Sequence, residues 1–577
     1  MPGKMRQTEK TTGWRIPLLH RFPRLQEREE QIFLVLALVI GALTGLTVVA
    51  FIVLTERLGM RLYPAAGSPW RRLLFPVVGS FTIGWLLFRY FPYARGSGVP
   101  QTKAALFARE GKITLRTVLG KFFCTSATLA SGIPLGREGP SVQVGAGIAS
   151  VLGRFLGLST EKVKSLLPVG AAAAVAAAFN TPLAAVLFSL EEIMGDLHAP
   201  VLGSVVLASA TSWMVLRLLL GNHPLFKVPR YELVSPAEFA IYAVLGLAGG
   251  LVSVAFTQLL LRMRAWFLCL PSRRAWVHPV AGGVLVGIMG WFVPQVLGVG
   301  YGFVGDALDG NMALKLMALL VLLKLLAVTT SYASGNAGGI FGPALFLGAM
   351  LGGSIGSVAH RLFPAITATS GAYALVGMGA LFAGIVRAPM TSVLMIFEMT
   401  QDYAVIVPLM ISNLISLFVA SRLQRTPIYD ALAEQDGIHL PTAATRGRHG
   451  QRQVAQVMRP VSSTLPAALT VAEAVEQLRS SNLSAAVITD ERGVVGVLSL
   501  ATLEKAASAQ QRLLLDLVNP LRFPHVHADH GLHLVLERFG TNRLDLLPVV
   551  SRADAHQLLG IVTLQDVLNS YGVGQER

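Results

Sequence analysis

A glutamate within an apolar, glycine-rich stretch is the first residue of this chain whose setting suggests chemistry. Glu138 lies in Gly136–Pro140, and a proline near the first turn with flanking glycines is typical of a helix N-terminus. Such an end gathers free N–H groups and about half a positive charge, so it can bind an anion. Because burial disfavours an ionised carboxylate whereas N–H groups favour it, Glu138 could occupy this site ionised and leave it protonated. The alternative is a structural ion pair with Arg137 or Lys121.

The same glycine–proline pattern occurs a second time, in Gly338–Pro343, and an internal repeat accompanies it. Leu166–Glu192 and Tyr373–Met399 align without gaps at an offset of 207 and share eight identical positions. Paired, interrupted segments in two halves of a chain indicate a substrate site near the middle of a membrane. The two Gly-Pro helix starts predict an anion site there. The alternative interpretation is that they are tight turns needed only for close packing of the chain.

Two adjacent acids follow the apolar helix predicted from Pro182. Glu191 has a counterpart in Glu398, which predicts a shared structural role, whereas Glu192 aligns with Met399. Only one half of the chain therefore carries the second acid. An asymmetric acid fits a proton route that departs from the anion route, because ionisable groups inside membranes are usually functional. A solvated helix end is the alternative for Glu192.

The elements that must position these residues lie in a membrane. Of 577 residues, 53% are hydrophobic and 14% charged, against about 25% charged in soluble domains. Several apolar stretches reach the ~20 residues that span a bilayer, and shorter glycine-broken ones lie between them, as in transporter interiors. The basic residues behind the net charge of +16 lie in the first thirty residues, the short polar loops and the C-terminal third, without interleaved aromatic residues. This distribution is typical of cytoplasmic loops of membrane proteins and argues against a nucleic-acid partner. The two cysteines indicate neither disulfides nor a metal site.

The chain divides into a membrane part and a soluble part. We predict a cytoplasmic tail at residues 1–30, a membrane domain at 31–432 with halves at about 31–220 and 236–425, and a polar linker at 433–453. Two α/β units follow, at 454–511 and 512–573. The fold class predicted is an all-α polytopic membrane protein with an internal, inverted repeat and broken helices, followed by a cytoplasmic α/β pair.

Each soluble unit has the order helix, strand, strand, helix, and the duplication resembles a pair of CBS domains, a regulatory module. In CBS pairs that bind nucleotides, a Ser/Thr-x-x-Asp pattern after the last strand holds ribose. Thr563 and Asp566 match this pattern, whereas Ser499 is followed by Thr502 where Asp is expected. The resemblance therefore implies an adenine nucleotide as the possible cofactor, at one site at most; packing against the membrane part is the alternative. A metal at the clustered histidines near His527 is not expected, since no cysteine joins them.

Four elements of the membrane part resemble the signatures of the CLC chloride channel and transporter family, in the family's order. They are Gly96–Pro100, Gly136–Pro140, Gly338–Pro343 and Tyr429. The resemblance runs from about Phe33 to Leu432 and implies a homodimer with one pore in each subunit.

The resemblance also assigns roles to single residues. It implies that the Ser97 and Tyr429 hydroxyls and the backbone amides of Ile340 and Phe341 bind chloride, that Glu138 is the external gate, and that Glu192 is the internal proton relay. Taken alone, Ser97 could be a helix cap and Tyr429 a tyrosine of the membrane interface. Neutral donors hold an anion without trapping it, which agrees with chloride as the ligand.

The function predicted is a chloride/proton antiporter in a cell membrane, of the bacterial inner membrane by its composition, with chloride, protons and lipid as partners. A passive chloride channel, gated by voltage or pH, is the first alternative. A transporter of another ion that is regulated by the CBS pair is the second. An enzyme is not expected, because no nucleophile–base pair or metal motif is present in the apolar part.

Overall fold

The computed structural model describes the chain in several stretches separated by short gaps. They are residues 29–63, 67–197, 201–221, 225–226, 228, 231, 233–271, 274–438, 440, 453–461, 464–481, 483–506, 512–519, 523–542 and 544–570. Two compact units result, Met1–Leu440 and Pro441–Arg577. The predicted tail lies almost wholly outside the described residues, as does most of the predicted linker.

The first half of the membrane unit is a series of eight helices within the described residues. They are α1 (Glu29–Leu62), α2 (Pro69–Arg89), α3 (Val99–Ala108), α4 (Leu115–Ala130), α5 (Glu138–Phe155), α6 (Thr160–Phe179), α7 (Pro182–Phe188) and α8 (Leu202–Leu220). A π-helical turn, Ser189–Met194, extends α7. A short 3₁₀ turn, Pro92–Ala94, precedes α3.

The second half repeats this order among the described residues and ends with one further short helix. Its helices are α9 (Glu238–Cys269), α10 (His278–Phe292), α11 (Tyr301–Leu308), α12 (Leu314–Ser334), α13 (Phe341–Leu362), α14 (Ser370–Val386), α15 (Pro389–Thr400), α16 (Ile406–Leu423) and α17 (Ile428–Gln435). A 3₁₀ turn, Pro294–Val296, precedes α11, as Pro92–Ala94 precedes α3. Helix α17 therefore occupies the first residues of the predicted linker.

The lengths of these helices fit the predicted membrane fold. In the part of the chain that is described, eight helices are long and apolar enough to cross a bilayer. Large apolar side chains point outward on several of them; Leu218 is 81% exposed and Phe292 78% exposed. Short helices such as α3, α7 and α11 stop part-way, which a membrane tolerates only where their ends are covered by protein.

Reciprocal capping shows how the two halves meet. Glu398, near the end of α15, accepts hydrogen bonds from Leu183 N (2.9 Å) and Ala184 N (2.7 Å) at the start of α7. Glu191, just after α7, accepts from Thr391 N (2.9 Å) at the start of α15. Each helix therefore begins where the other ends, so the two run antiparallel, as an inverted repeat requires. The predicted structural role shared by Glu191 and Glu398 is confirmed.

Close helix crossings are also duplicated. A Cβ at Gly145 of α5 would collide with the carbonyl of Gly170 of α6, and a Cβ at Gly348 of α13 with that of Gly377 of α14. Small residues let helix backbones approach where lipid supplies no hydrophobic drive. These crossings fix α5 and α13, the two helices whose N-termini form the candidate site.

The C-terminal unit contains two copies of a small mixed sheet with helices. The first has β1 (Thr464–Pro466), α18 (Val471–Ser480), β2 (Ala485–Asp490), β3 (Gly493–Ser499) and α19 (Leu500–Lys505). The second has β4 (Val526–His527), α20 (Leu532–Asn542), β5 (Leu546–Val550), β6 (Leu558–Thr563) and α21 (Leu564–Ser570). In each sheet the first strand pairs parallel with the second, and the second antiparallel with the third. The sequence did not reveal the short strands β1 and β4.

Candidate anion site and proton route

The two glycine–proline turns of the repeat meet inside the membrane unit. Gly136 and Gly339 exchange two backbone hydrogen bonds of 2.7 Å each. Helix α5 begins at Glu138 and α13 at Phe341, each two residues after its glycine. The N–H groups of a helix's first turn have no acceptor within the helix. Two positively polarised helix ends are therefore brought together, as the sequence predicted.

A third turn, at Ser97, adjoins this point. Gly98 has a φ of +105° and is the N-cap residue of α3, and a Cβ there would collide with the carbonyl of Gly139. Ser97 N donates to the hydroxyl of Tyr332 at 3.2 Å. The Ser97 hydroxyl is buried and has no hydrogen-bond partner among the described residues. The helix-cap alternative is wrong, because Gly98 occupies the cap position.

Tyr429 lies in the first turn of α17 and is also buried. Its side chain is 1% exposed, so it is not a tyrosine of the membrane interface. Its hydroxyl, like that of Ser97, has no hydrogen-bond partner in the described part of the chain. Leaving a buried hydroxyl unpaired costs about 1–3 kcal/mol. Two such hydroxyls suit a ligand that accepts hydrogen bonds.

Ile340 and Phe341 lie at the start of α13 and are fully buried. The Phe341 ring packs against the rings of Phe179 (4.8 Å) and Phe382 (4.4 Å). This packing fixes the backbone turn that carries the Ile340 and Phe341 amides. The structure therefore places both residues at the converging helix ends.

The Glu138 carboxylate lies at the start of α13, in the place where an anion would bind. Glu138 is 0% exposed, and its Oε2 accepts from Gly342 N at 3.2 Å. The alternative of an ion pair is wrong: Arg137 pairs with Glu56 at 3.0 Å, and Lys121 Nζ donates to the carbonyls of Ala94 and Gly96.

Tyr301 is a site residue that sequence reasoning missed. Its hydroxyl donates to Oε1 of Glu138. Its ring lies 5.6 Å from that of Phe226, and the Arg137 guanidinium lies 5.6 Å from the ring centre. The side chain is thereby held in place from several sides. Tyr301 is therefore a second donor, beside Gly342 N, that holds the carboxylate at the start of α13.

A weak sequence signal for Tyr301 was present. Pro294–Tyr301 aligns with Pro92–Val99 at an offset of 202, not 207, and Tyr301 then stands opposite Val99. The structure supports this alignment, because Lys324 Nζ donates to the carbonyls of Val296 (3.0 Å) and Gly298 (2.7 Å). Lys121 holds the corresponding turn before Ser97. The change of offset hid this part of the repeat.

Replacing Tyr301 by Phe should strengthen chloride binding. The sequence predicts that Glu138 and chloride compete for one site, and a hydrogen bond to a charged group contributes about 1.5–3 kcal/mol. We therefore expect Tyr301→Phe to bind chloride about tenfold more tightly, measured by calorimetric titration of the purified protein. Tyr403→Phe is the control, since Tyr403 is 77% exposed. An unchanged affinity in Tyr301→Phe would contradict the role of its hydroxyl.

Glu192 is buried in the π-helical turn after α7. It is 7% exposed, and Lys103 Nζ donates to its Oε1 at 2.9 Å. The alternative of a solvated helix end is therefore wrong. Its counterpart, Met399, carries no charge, so the acid belongs to one half of the repeat only.

In the C-terminal unit, Thr563 and Asp566 bind each other. Asp566 Oδ2 accepts from Thr563 Oγ1 at 2.7 Å and from Thr563 N at 3.1 Å, which caps α21. Arg459 pairs with the other carboxylate oxygen. In the first unit, Ser499 and Thr502 form the same cap at 2.8 Å without a carboxylate. Among the described residues no group of three acids, histidines or cysteines is arranged to hold a metal.

Comparison with known proteins agrees with this architecture. The family described as Voltage gated chloride channel matches residues 79–421, and CBS domains match residues 454–509 and 516–572. The H(+)/Cl(-) exchange transporter ClcA of Salmonella paratyphi B is 34% identical over 437 residues, which cover 72% of this chain and 92% of that protein. A putative chloride channel protein, ClcB-like, of Ralstonia nicotianae is 34% identical over 383 residues, which cover 65% of this chain and 89% of that protein.

A solved structure has the same fold over most of the chain. The crystal structure of a slow cyanobacterial Cl-/H+ antiporter superposes with a TM-score of 0.65 at 28% identity, covering 72% of this chain and 99% of the other. The family match at residues 79–421 contains the converging helix ends and both buried acids. The chain therefore belongs to the voltage gated chloride channel family and carries a pair of CBS domains after its membrane unit.

Proposed function

We propose that this protein exchanges chloride for protons across a cell membrane. The observation that carries the proposal is that the Glu138 carboxylate lies buried at the start of α13, beside the turn that carries Ser97. Neutral hydroxyl and amide donors attract an anion without the counter-charge that would trap it. The relatives named as H(+)/Cl(-) exchange transporters support the same function.

The carboxylate couples the two ions by competition. Ionised Glu138 occupies the helix ends and excludes chloride, because both are anions. Protonated Glu138 loses its attraction to the N–H groups and the Tyr301 hydroxyl, so it leaves and chloride enters. Each return of Glu138 to the site requires that the proton be released, so protons and chloride move in opposite directions.

The proton reaches Glu138 from the other side of the membrane through Glu192. Glu192 is buried, ionisable and present in one half of the repeat only. A proton route needs a group that binds and releases protons, which the chloride ligands Ser97 and Phe341 do not supply. The proton and chloride routes therefore separate between Glu138 and Glu192.

The wider setting is also part of the proposal. We propose a homodimer in the bacterial inner membrane, in contact with lipid, with the CBS pair in the cytoplasm and with no enzymatic reaction. Adenine-nucleotide binding at Thr563 and Asp566 remains a prediction. A ribose would have to replace the bond from Arg459 to Asp566.

The experiment that tests the function records both ions at once. The purified protein in liposomes, with a chloride gradient, is followed by a chloride electrode and a pH electrode. We expect chloride leaving the vesicles to drive protons inward against their own gradient, and no such movement with an impermeant anion. Chloride flux without proton movement would overturn the exchanger and leave a passive channel.

A further inference from the structure

A buried cluster of three charged side chains joins the elements of the proton route. Lys103 Nζ, on α3, lies 2.9 Å from Glu192 Oε1 and 2.6 Å from Asp430 Oδ1 on α17. The side chains are 3%, 8% and 16% exposed, in the order Lys103, Glu192, Asp430. One ammonium is therefore shared by two carboxylates. Asp430 directly follows Tyr429 in the sequence.

The charges of this cluster do not balance when all three groups are ionised. Two carboxylates and one ammonium sum to one negative charge, and taking up a proton lowers the cost of burying that charge. One added proton makes the cluster neutral. Both carboxylates contact the same ammonium, so that proton can be held by either of them. The cluster is built to hold one exchangeable proton.

The position of Asp430 distinguishes it from Glu192. Its side chain is about twice as exposed as that of Glu192. Further charged side chains lie in the elements that carry the cluster. Glu191 adjoins Glu192 in the π-helical turn, Arg387 donates to the carbonyl of Arg425 (2.8 Å) ahead of α17, and Arg264 pairs further along α17 with Asp436.

We propose that Asp430 is the residue through which Glu192 is loaded with a proton. A proton from water binds Asp430, then passes to Glu192 as Asp430 becomes a carboxylate again; no other reactant is needed. Lys103 keeps the two carboxylates adjacent and limits them to one proton. This inference rests on the proposed exchange function, and it makes Asp430 a proton-transferring residue, not a chloride ligand.

The test compares Asp430→Asn with wild type in the two-electrode liposome assay. Asn keeps the size of Asp and a hydrogen-bond acceptor for Lys103, but it cannot take up and release a proton. We expect chloride affinity to be unchanged and proton flux at about pH 7 to fall about tenfold or more. The difference in proton flux between Asp430→Asn and wild type should be smaller near about pH 5, where protons from solution reach Glu192 more often. Asp430→Glu should restore proton flux.

Asp436→Asn is the matched control, because it removes an ion-paired carboxylate from the end of the same helix, outside the cluster. A purely structural role for Asp430 would lower chloride and proton fluxes together, at every pH, and would overturn the inference. So would a wild-type ratio of protons to chloride in Asp430→Asn. If wild type itself moves no protons, the proposed function fails instead, which the same assay reveals.

Discussion

Glu138→Gln is expected to abolish proton transport while chloride transport continues. The amide cannot bind and release a proton, and it is neutral, so it no longer competes with chloride as an anion. We expect proton flux to fall at least about a hundredfold, because a proton-transferring side chain typically accelerates its step by about a hundredfold or more. Chloride flux should remain within a few-fold of wild type and lose its dependence on pH. Both fluxes are read in the same liposomes.

The control for this prediction is Glu56→Gln. Glu56 is an exposed carboxylate that pairs with Arg137, the neighbour of Glu138, at 3.0 Å. The variant removes a charge close to the gate without touching the carboxylate at the helix ends. It should exchange both ions as wild type does. Continued proton pumping by Glu138→Gln would show that another group couples the ions.

Glu192→Gln is expected to remove proton transport by a different mechanism. The gate remains intact, so chloride flux should still rise as the pH falls, in contrast to Glu138→Gln. The proton flux should drop by at least about a hundredfold, since the relay has lost its titratable group. The comparison of the two pH profiles of chloride flux separates the gate from the relay.

Glu191, the neighbour of Glu192, provides the control for this prediction. Glu191→Gln removes a charge one residue away, but Glu191 caps α15 through Thr391 N (2.9 Å). We expect it to lower thermal stability, since losing a cap costs about 0.5–2 kcal/mol, while the ratio of protons to chloride stays at the wild-type value. If Glu191→Gln uncoupled the ions and Glu192→Gln did not, the assignment of the relay would be wrong.

Much of the candidate site could be predicted from the sequence, because the patterns that mark it are local. A glycine–proline pair predicts a helix start within a few residues, so Gly136–Pro140 and Gly338–Pro343 predicted both anion-binding ends. The repeat then predicted that the two ends belong together, and the structure joins them through Gly136 and Gly339. The shared role of Glu191 and Glu398 followed in the same way from their alignment.

The partners of the two acids, Glu138 and Glu192, could not be predicted from the sequence, because they come from distant parts of the chain. Tyr301 lies 163 residues from Glu138, and Asp430 lies 327 residues from Lys103. Nothing local in Val299–Phe303 or Tyr429–Leu432 marks these side chains as neighbours of a carboxylate. The alternatives for Ser97, Tyr429 and Glu192 also stayed open, since burial depends on how separate helices pack.

The sequence by itself determined the membrane fold, the duplicated helix starts and the C-terminal pair of α/β units. These follow from apolar length, glycine and proline positions and local alternation, which act within one helix or strand. Only the tertiary structure decided which donors hold Glu138 and which charges surround Glu192. The physical reason is that a buried charge is stabilised by whatever groups the packed helices bring within a few ångströms, and sequence spacing does not encode that distance.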